Sequence, residues 1–165
     1  MHVGDLVFLK LGPRRGLRRA TSALQHYERG LALEASDPAG AIAAYRRAVA
    51  ARADLADAHN NLGRLLHDAG DLAGAEACYR RALAADATQA LYHFNLGVVL
   101  EDKGDARGAI AAYERSIALD ASLADAHFNL ARQLDQLGRT EHDDLVLRRA
   151  IRHLKQYRDL SRTAG

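Results

Sequence analysis

The chain has 165 residues, of which 48% are hydrophobic and 27% charged, with a formal net charge of +2. That is enough for one compact domain or a short stack of repeats and too little for two large domains. The small net charge does not point to nucleic acid. No apolar run approaches the ~20 residues of a membrane span. The single cysteine, Cys78, has no internal partner, which fits a reducing compartment, so the cytoplasm is the expected location.

Residues 1–21 differ in character from the rest of the chain. Val3 to Leu11 is rich in strand formers, Gly12-Pro13 breaks it, and Arg14 to Arg19 reads as a basic linker. Asp5 and Lys10 interrupt the apolar patch and no basic stretch precedes it, so it is not expected to be a signal peptide. A lone strand has no partner in a helical stack. The segment is left to be disordered, to lie against the first helix or to pair with another chain. Nucleic acid or acidic lipid at Arg14–Arg19 is the less favoured reading beside a solvated linker.

From residue 22 the chain is rich in Ala and Leu, with Pro38 the only proline, which favours helices throughout. Residues 22–53 form a degenerate first unit. Gly30, Leu33, Ala41, Tyr45 and Ala48 match the later units if one residue is deleted around Ser36-Asp37-Pro38. His26 then takes a bulky position and Arg29 stands where Leu belongs. Residues 56–89, 90–123 and 124–161 are units two to four, with a tail at 162–165. They begin Ala-Asp-Ala-His-Asn-Asn-Leu-Gly, Ala-Leu-Tyr-His-Phe-Asn-Leu-Gly and Ala-Asp-Ala-His-Phe-Asn-Leu-Ala, offset by 34 residues each time. Leu66/Leu100/Leu134, Gly70/Gly104/Gly138 and Tyr79/Tyr113/Leu147 keep that offset. A fixed period of this size marks a repeat architecture.

Within each unit the spacing predicts two amphipathic helices. In the second unit Gly70 ends the first helix and Asp71 caps the second. In the fourth, Gly138 is expected to end the first helix, and residues 140–161 to form a long final helix with a polar outer face. The ends of the chain are basic and the body is acidic.

The residues His59, Leu62, Gly63, Leu66, Ala75, Tyr79 and Ala82 resemble the tetratricopeptide motif, as do His93, Leu96, Gly97, Leu100, Ala109 and Tyr113, with Ser116 where Ala is usual. His replaces the usual aromatic, and Ala87 and Ala121 stand where the motif closes on Pro. The resemblance implies an all-α, right-handed helical solenoid of antiparallel helix pairs, with a long C-terminal capping helix. It also covers the C-terminal repeat arrays attached to some bacterial transcription regulators.

In such a stack the first helices line the concave side, and the candidate peptide-binding residues are their non-core neighbours. These are Asn60, Asn61 and Arg64 in the second unit, Phe94, Asn95 and Val98 in the third, and Phe128, Asn129 and Arg132 in the fourth. Asn61, Asn95 and Asn129 recur every 34 residues. At ~10 Å between neighbouring helices, each would meet about every third residue of an extended peptide. An Asn amide both donates and accepts, so the row suits peptide backbone. It is similar to the Asn rows in the repeat arrays of some glycosyltransferases and nuclear import receptors, though Asn is common there in tetratricopeptide sequences generally. Phe94, Phe128 and Tyr27 either anchor apolar ligand groups or pack between repeats. Arg64 and Arg132, with Lys103 nearby, do not reproduce the basic clamp that some such domains use for chaperone tails.

No catalytic constellation, cofactor motif or metal motif is present. His26, His59, His93 and His127 lie one repeat apart, too far to share an ion, and read as packing residues. Cys78 beside Tyr79 reads as an inert core residue. The expected function is an adaptor for a protein or peptide partner, not an enzyme. Two other readings remain: the repeat part of a regulator or enzyme complex whose active domain lies elsewhere, and a self-assembling homo-oligomer joined through the N-terminal segment or the open end of the stack.

Overall fold

The computed structural model describes residues 15–163, with side chains from residue 21. The strand-like stretch and Gly12-Pro13 lie outside the described residues. Eight helices run α1 (Arg15–Leu33), α2 (Pro38–Ala51), α3 (Ala56–Asp68), α4 (Leu72–Ala85), α5 (Ala90–Asp102), α6 (Ala106–Leu119), α7 (Ala124–Glu141) and α8 (Asp144–Thr163). Each packs on the next across a short turn, giving four antiparallel pairs in a solenoid. The stretch from Arg15 to Thr21, read from sequence with the segment outside the repeat, is the start of α1. Leu, Arg and Ala there are good helix formers, and α1 reaches 19 residues against 13 in α3 and α5.

The second helix of each of the first three pairs starts from one device. Asp37, Asp71 and Asp105 accept the amide N–H of Gly40, Gly74 and Gly108, each at 2.9 Å. These carboxylates satisfy donors that have no partner inside the helix. Before them the chain must reverse. Gly70 and Gly104 do so at φ +83° and +80°, a region that costs a side-chain-bearing residue about 1–2 kcal/mol. The first pair is one residue shorter in this turn, and Leu33 O instead accepts the N–H groups of both Ser36 and Asp37.

Packing within pairs rests on a glycine against a ring. Tyr45, Tyr79 and Tyr113 lie over Gly30, Gly63 and Gly97, and a Cβ on Gly97 would come 2.5 Å from Tyr113 Cε1. The ring fills the space that the absent side chain leaves, and the three tyrosines are 0–2% exposed. Burying each is worth about 1.5–3 kcal/mol by the area it removes from water. Ser116, at a position where Ala is usual, is also fully buried. It donates its hydroxyl to Ala90 O at 2.9 Å, so its polar atom is satisfied and the small size is kept.

The fourth pair departs from the register expected of it. Gly138 lies inside α7, which continues through Arg139, Thr140 and Glu141 to a left-handed turn at His142 (φ 53°). Asp143, which the 34-residue offset aligns with Ala109, accepts from the N–H of Leu145 and Val146 and starts α8. The amide of Leu147 bonds Asp143 O just as that of Ala75 bonds Asp71 O. Leu147 therefore stands in Ala75's place, and Ile151 in Tyr79's. The cause is about one extra helical turn in α7. With no tyrosine opposite, Ala131 takes the glycine position and is fully buried. The outer face of α8 is mostly polar, as expected, but Leu145, Ile151 and Leu154 interrupt it at 69%, 67% and 42% exposure.

Candidate functional site

Residue contacts that skip a helix place the first helices together. α3 touches α5, and contacts between first helices lie on the inside of the curve. Across this inner side, Asn60 Oδ1 accepts from Asn95 Nδ2 at 2.9 Å, Asp57 accepts the Tyr92 hydroxyl, and Asp102 Oδ2 lies 2.5 Å from His67 Nε2.

Two of the three inter-repeat junctions carry the same cluster. At the first, the Tyr45 hydroxyl donates to Glu34 at 2.5 Å, Arg64 pairs with Glu34, and Asn61 Nδ2 reaches Tyr45 Oη at 3.4 Å. At the third, the Tyr113 hydroxyl donates to Glu101 at 2.9 Å, Arg132 pairs with Glu101, and Asn129 Nδ2 reaches Tyr113 Oη at 3.5 Å. Burial raises both tyrosine pKa values, and the neighbouring carboxylates add to the effect. The middle junction lacks the cluster because Val98 stands where the others have Arg, and His67 where the others have Glu.

A cleft opens beside each cluster. One of about 470 Å³ is lined by Glu34, Pro38, Ile42, Arg64, Leu65 and Asp68. The other, about 400 Å³, is lined by Glu101, Asp102, Ala106, Arg132, Gln133 and Gln136. Arg64 and Arg132, Leu65 and Gln133, and Asp68 and Gln136 are pairs two repeats apart in the sequence. The clefts thus recur at every second repeat, the first more apolar and the second more polar in its lining.

The residues singled out from the sequence separate into three behaviours. Asn61, Asn95 and Asn129 are half-buried on the inner side, each with one amide N–H engaged within the chain. Asn60 is 6% exposed; it accepts from Asn95 and donates to Asn61 at 3.3 Å, so it holds neighbours rather than presenting itself. Phe94 and Val98 pack at the edge of the core, with Phe94 5.8 Å from the Tyr113 ring. Phe128 is exposed, its ring tilted against that of Tyr157 at 5.1 Å, with the Arg132 guanidinium 5.9 Å from its centre. Glu34 and Tyr45 were not among the sequence candidates. Tyr45 was legible only as a core position of the first unit, and the one-residue deletion shifts Glu34 out of the 34-residue frame relative to Glu101.

The repeated histidines are structural. Nε2 of His59, His93 and His127 lies 2.9, 3.2 and 3.2 Å from the carbonyls of Ala53, Ala87 and Ala121. Each ties its first helix to the preceding loop, at the place where the motif usually closes on proline. Burial lowers the His59 pKa. Cys78 is buried, and burial raises its thiol pKa. Among the described residues no three His, Cys, Asp or Glu side chains gather to hold a metal ion, and no helix is long and apolar enough to cross a membrane.

Two family models match the chain by sequence: TPR repeat over residues 63–104 and tetratricopeptide repeat over residues 90–123. No curated protein matches it. Among solved structures, a crystal structure of MamA aligns at TM-score 0.78 and 19% identity, covering 90% of this chain and 84% of that one. YrrB, described as a TPR protein with an unusual peptide-binding site, aligns at 0.72 and 18% identity, covering 84% and 68%. The first TPR of Spaghetti (RPAP3), bound to the HSP90 peptide SRMEEVD, aligns at 0.69 and 19% identity, covering 72% and 95%.

Proposed function

Starting from a chain that carries tetratricopeptide repeats, we propose that it is an adaptor whose inner face grips an extended segment of another protein. The observation that carries this reading is the row Asn61, Asn95 and Asn129. The amide N–H contacts of Asn61 and Asn129 to the tyrosine hydroxyls are 3.4 and 3.5 Å, at the weak limit of a hydrogen bond. A peptide carbonyl can replace such a contact at little cost, and Asn95 and Asn129 each have a second N–H and an acceptor to offer. The spacing of ~10 Å between neighbouring first helices matches three residues of extended chain.

The surroundings favour a basic ligand. Glu34 just past α1 and Asp68, Glu101, Asp102 and Asp135 on the first helices outnumber Arg64, Arg132 and Arg139, and these arginines are already paired with Glu34, Glu101 and Asp135. A lysine or arginine side chain of the peptide can enter either cleft and meet carboxylate oxygens. Phe128 and Phe94 offer apolar contact beside the row. The peptide-bound structure of the RPAP3 repeat and the YrrB description support peptide binding by this fold. The acidic HSP90 sequence is a different charge class from the one favoured here.

A peptide array of extended ten-residue segments, graded from basic to acidic, tests the reading. Binding should rise with positive charge and fall by about tenfold or more, equivalent to about 1.4 kcal/mol, in the folded double variant Asn61→Ala with Asn95→Ala. Undiminished binding by that variant would remove the row from the mechanism.

A further inference from the structure

α8 ends the described solenoid, and its position in the repeat is unlike its surface. By backbone register Leu147, Ile151 and Leu154 occupy the places of Ala75, Tyr79 and Ala82 in α4. That trio of α4 is 0%, 2% and 0% exposed, and the same trio in α2 and in α6 is fully buried, enclosed by the first helix of its own pair and by the next first helix. On α8 the described residues include no next first helix. Ile151 is left 67% and Leu154 42% exposed, with Leu147 half-buried, a stripe at helical spacing.

The opposite end of the stack is closed differently. The positions that Ala58, Leu62 and Leu65 fill in α3 are held in α1 by Gln25, Arg29 and Ala32, all exposed. A polar end face is what a terminal repeat needs, and on α8 the apolar stripe breaks it. The difference also speaks against stacking of copies. Setting α1 of a second molecule on α8 would press Arg29 onto the stripe. Setting α8 on α8 would oppose like charges, since Arg148, Arg152 and Lys155 are exposed beside the stripe and make no ion pair among the described residues.

We propose that the Leu147, Ile151 and Leu154 face of α8 docks an amphipathic helix of a different protein. That helix takes the place of a fifth first helix, with acidic side chains flanking its own apolar stripe. The geometry asks for about 13 residues, the length of α3 and α5. The apolar stripe supplies contact area, and the cations beside it select the partner by charge.

The probe is a synthetic, hydrocarbon-stapled helix of about 14 residues (roughly 21 Å) with a leucine stripe flanked by glutamates. Its twin carries lysine for every glutamate. Fluorescence anisotropy with the full chain should show the acidic probe binding at least about tenfold more tightly than its twin. The variant Ile151→Glu/Leu154→Glu, altered at exposed positions, should lose the acidic probe. Arg152→Glu/Lys155→Glu should reverse the preference while leaving the helical circular dichroism unchanged. Asn95→Ala should not alter binding of either probe, which separates this face from the inner one.

Equal binding of the two probes, or none, would overturn the proposal. So would a concentration-dependent dimer in sedimentation that Ile151→Glu abolishes, which would assign the face to a second copy. Uptake onto anionic vesicles that Leu154→Glu abolishes, with no binding of the acidic probe, would assign it to a lipid surface.

Discussion

Gly97→Ala sets two physical effects against each other and the structure decides the sign. In the interior of α5, replacing glycine by alanine should stabilise by about 1 kcal/mol through helix propensity alone. Here the new methyl would come 2.5 Å from Tyr113 Cε1 and 2.7 Å from Cδ1. The ring cannot swing clear. It is fully buried, its hydroxyl donates to Glu101 at 2.9 Å, and Phe94 lies 5.8 Å away. Overpacking of this kind costs about 1–3 kcal/mol, and a contact so short belongs at the upper end. The net expectation is a loss of about 2 kcal/mol, or about 4–8 °C in Tm for a chain of this size. Thermal melts followed by circular dichroism, together with urea titrations, measure it. In a Tyr113→Leu background the same substitution should be far less harmful. A Gly97→Ala chain as stable as the parent, or more so, would refute the packing argument, since propensity would then have outweighed the ring.

Other outcomes rest on the same structure. Asp105→Ala removes the cap that receives Gly108 N–H and should cost about 1 kcal/mol in chemical denaturation. His153 lies 3.0 Å from His127, Nδ1 to Nδ1; desolvation first, then His127, Arg149 and Arg152, press its pKa down to about 4. A histidine depressed in the folded state leaves the unfolded chain holding more protons between about 6.5 and 4, so stability should be full above that window and fall as pH drops through it. His153→Gln should flatten the fall in Tm across that range. The buried Cys78 thiol, its pKa raised by desolvation, should react with a thiol reagent at pH 8 far more slowly than a free cysteine, and at the free rate only in denaturant; fast reaction in the native protein would contradict its burial.

Much of the fold was legible along the chain because its causes are local and repeated. The 34-residue offsets, the Asp caps and the glycine turns each act within a few residues, so spacing alone locates them. The first pair was readable despite its missing residue, since Gly30 still meets Tyr45. The fourth pair was not. Gly138 looks like Gly70 and Gly104 in the aligned sequence, but Arg139, Thr140 and Glu141 continue the helix, and the turn moves to His142.

The candidate site divides in the same way. Periodicity picked out Asn61, Asn95 and Asn129. It gave no hint that Asn60 is spent on Asn95 and Asn61, or that Arg64 and Arg132 are held by Glu34 and Glu101. Those partners come from neighbouring repeats and depend on which helix lies beside which.

The sequence by itself therefore determined the repeat, its period, its helix pairs and the face that first helices share, because each arises from spacing and local capping. Tertiary packing decided which polar groups are already satisfied, where the last register slips by about one turn, and which apolar stripe is left uncovered on α8. Those outcomes depend on contacts between residues roughly a repeat apart, where a neighbouring helix either supplies a partner or is missing.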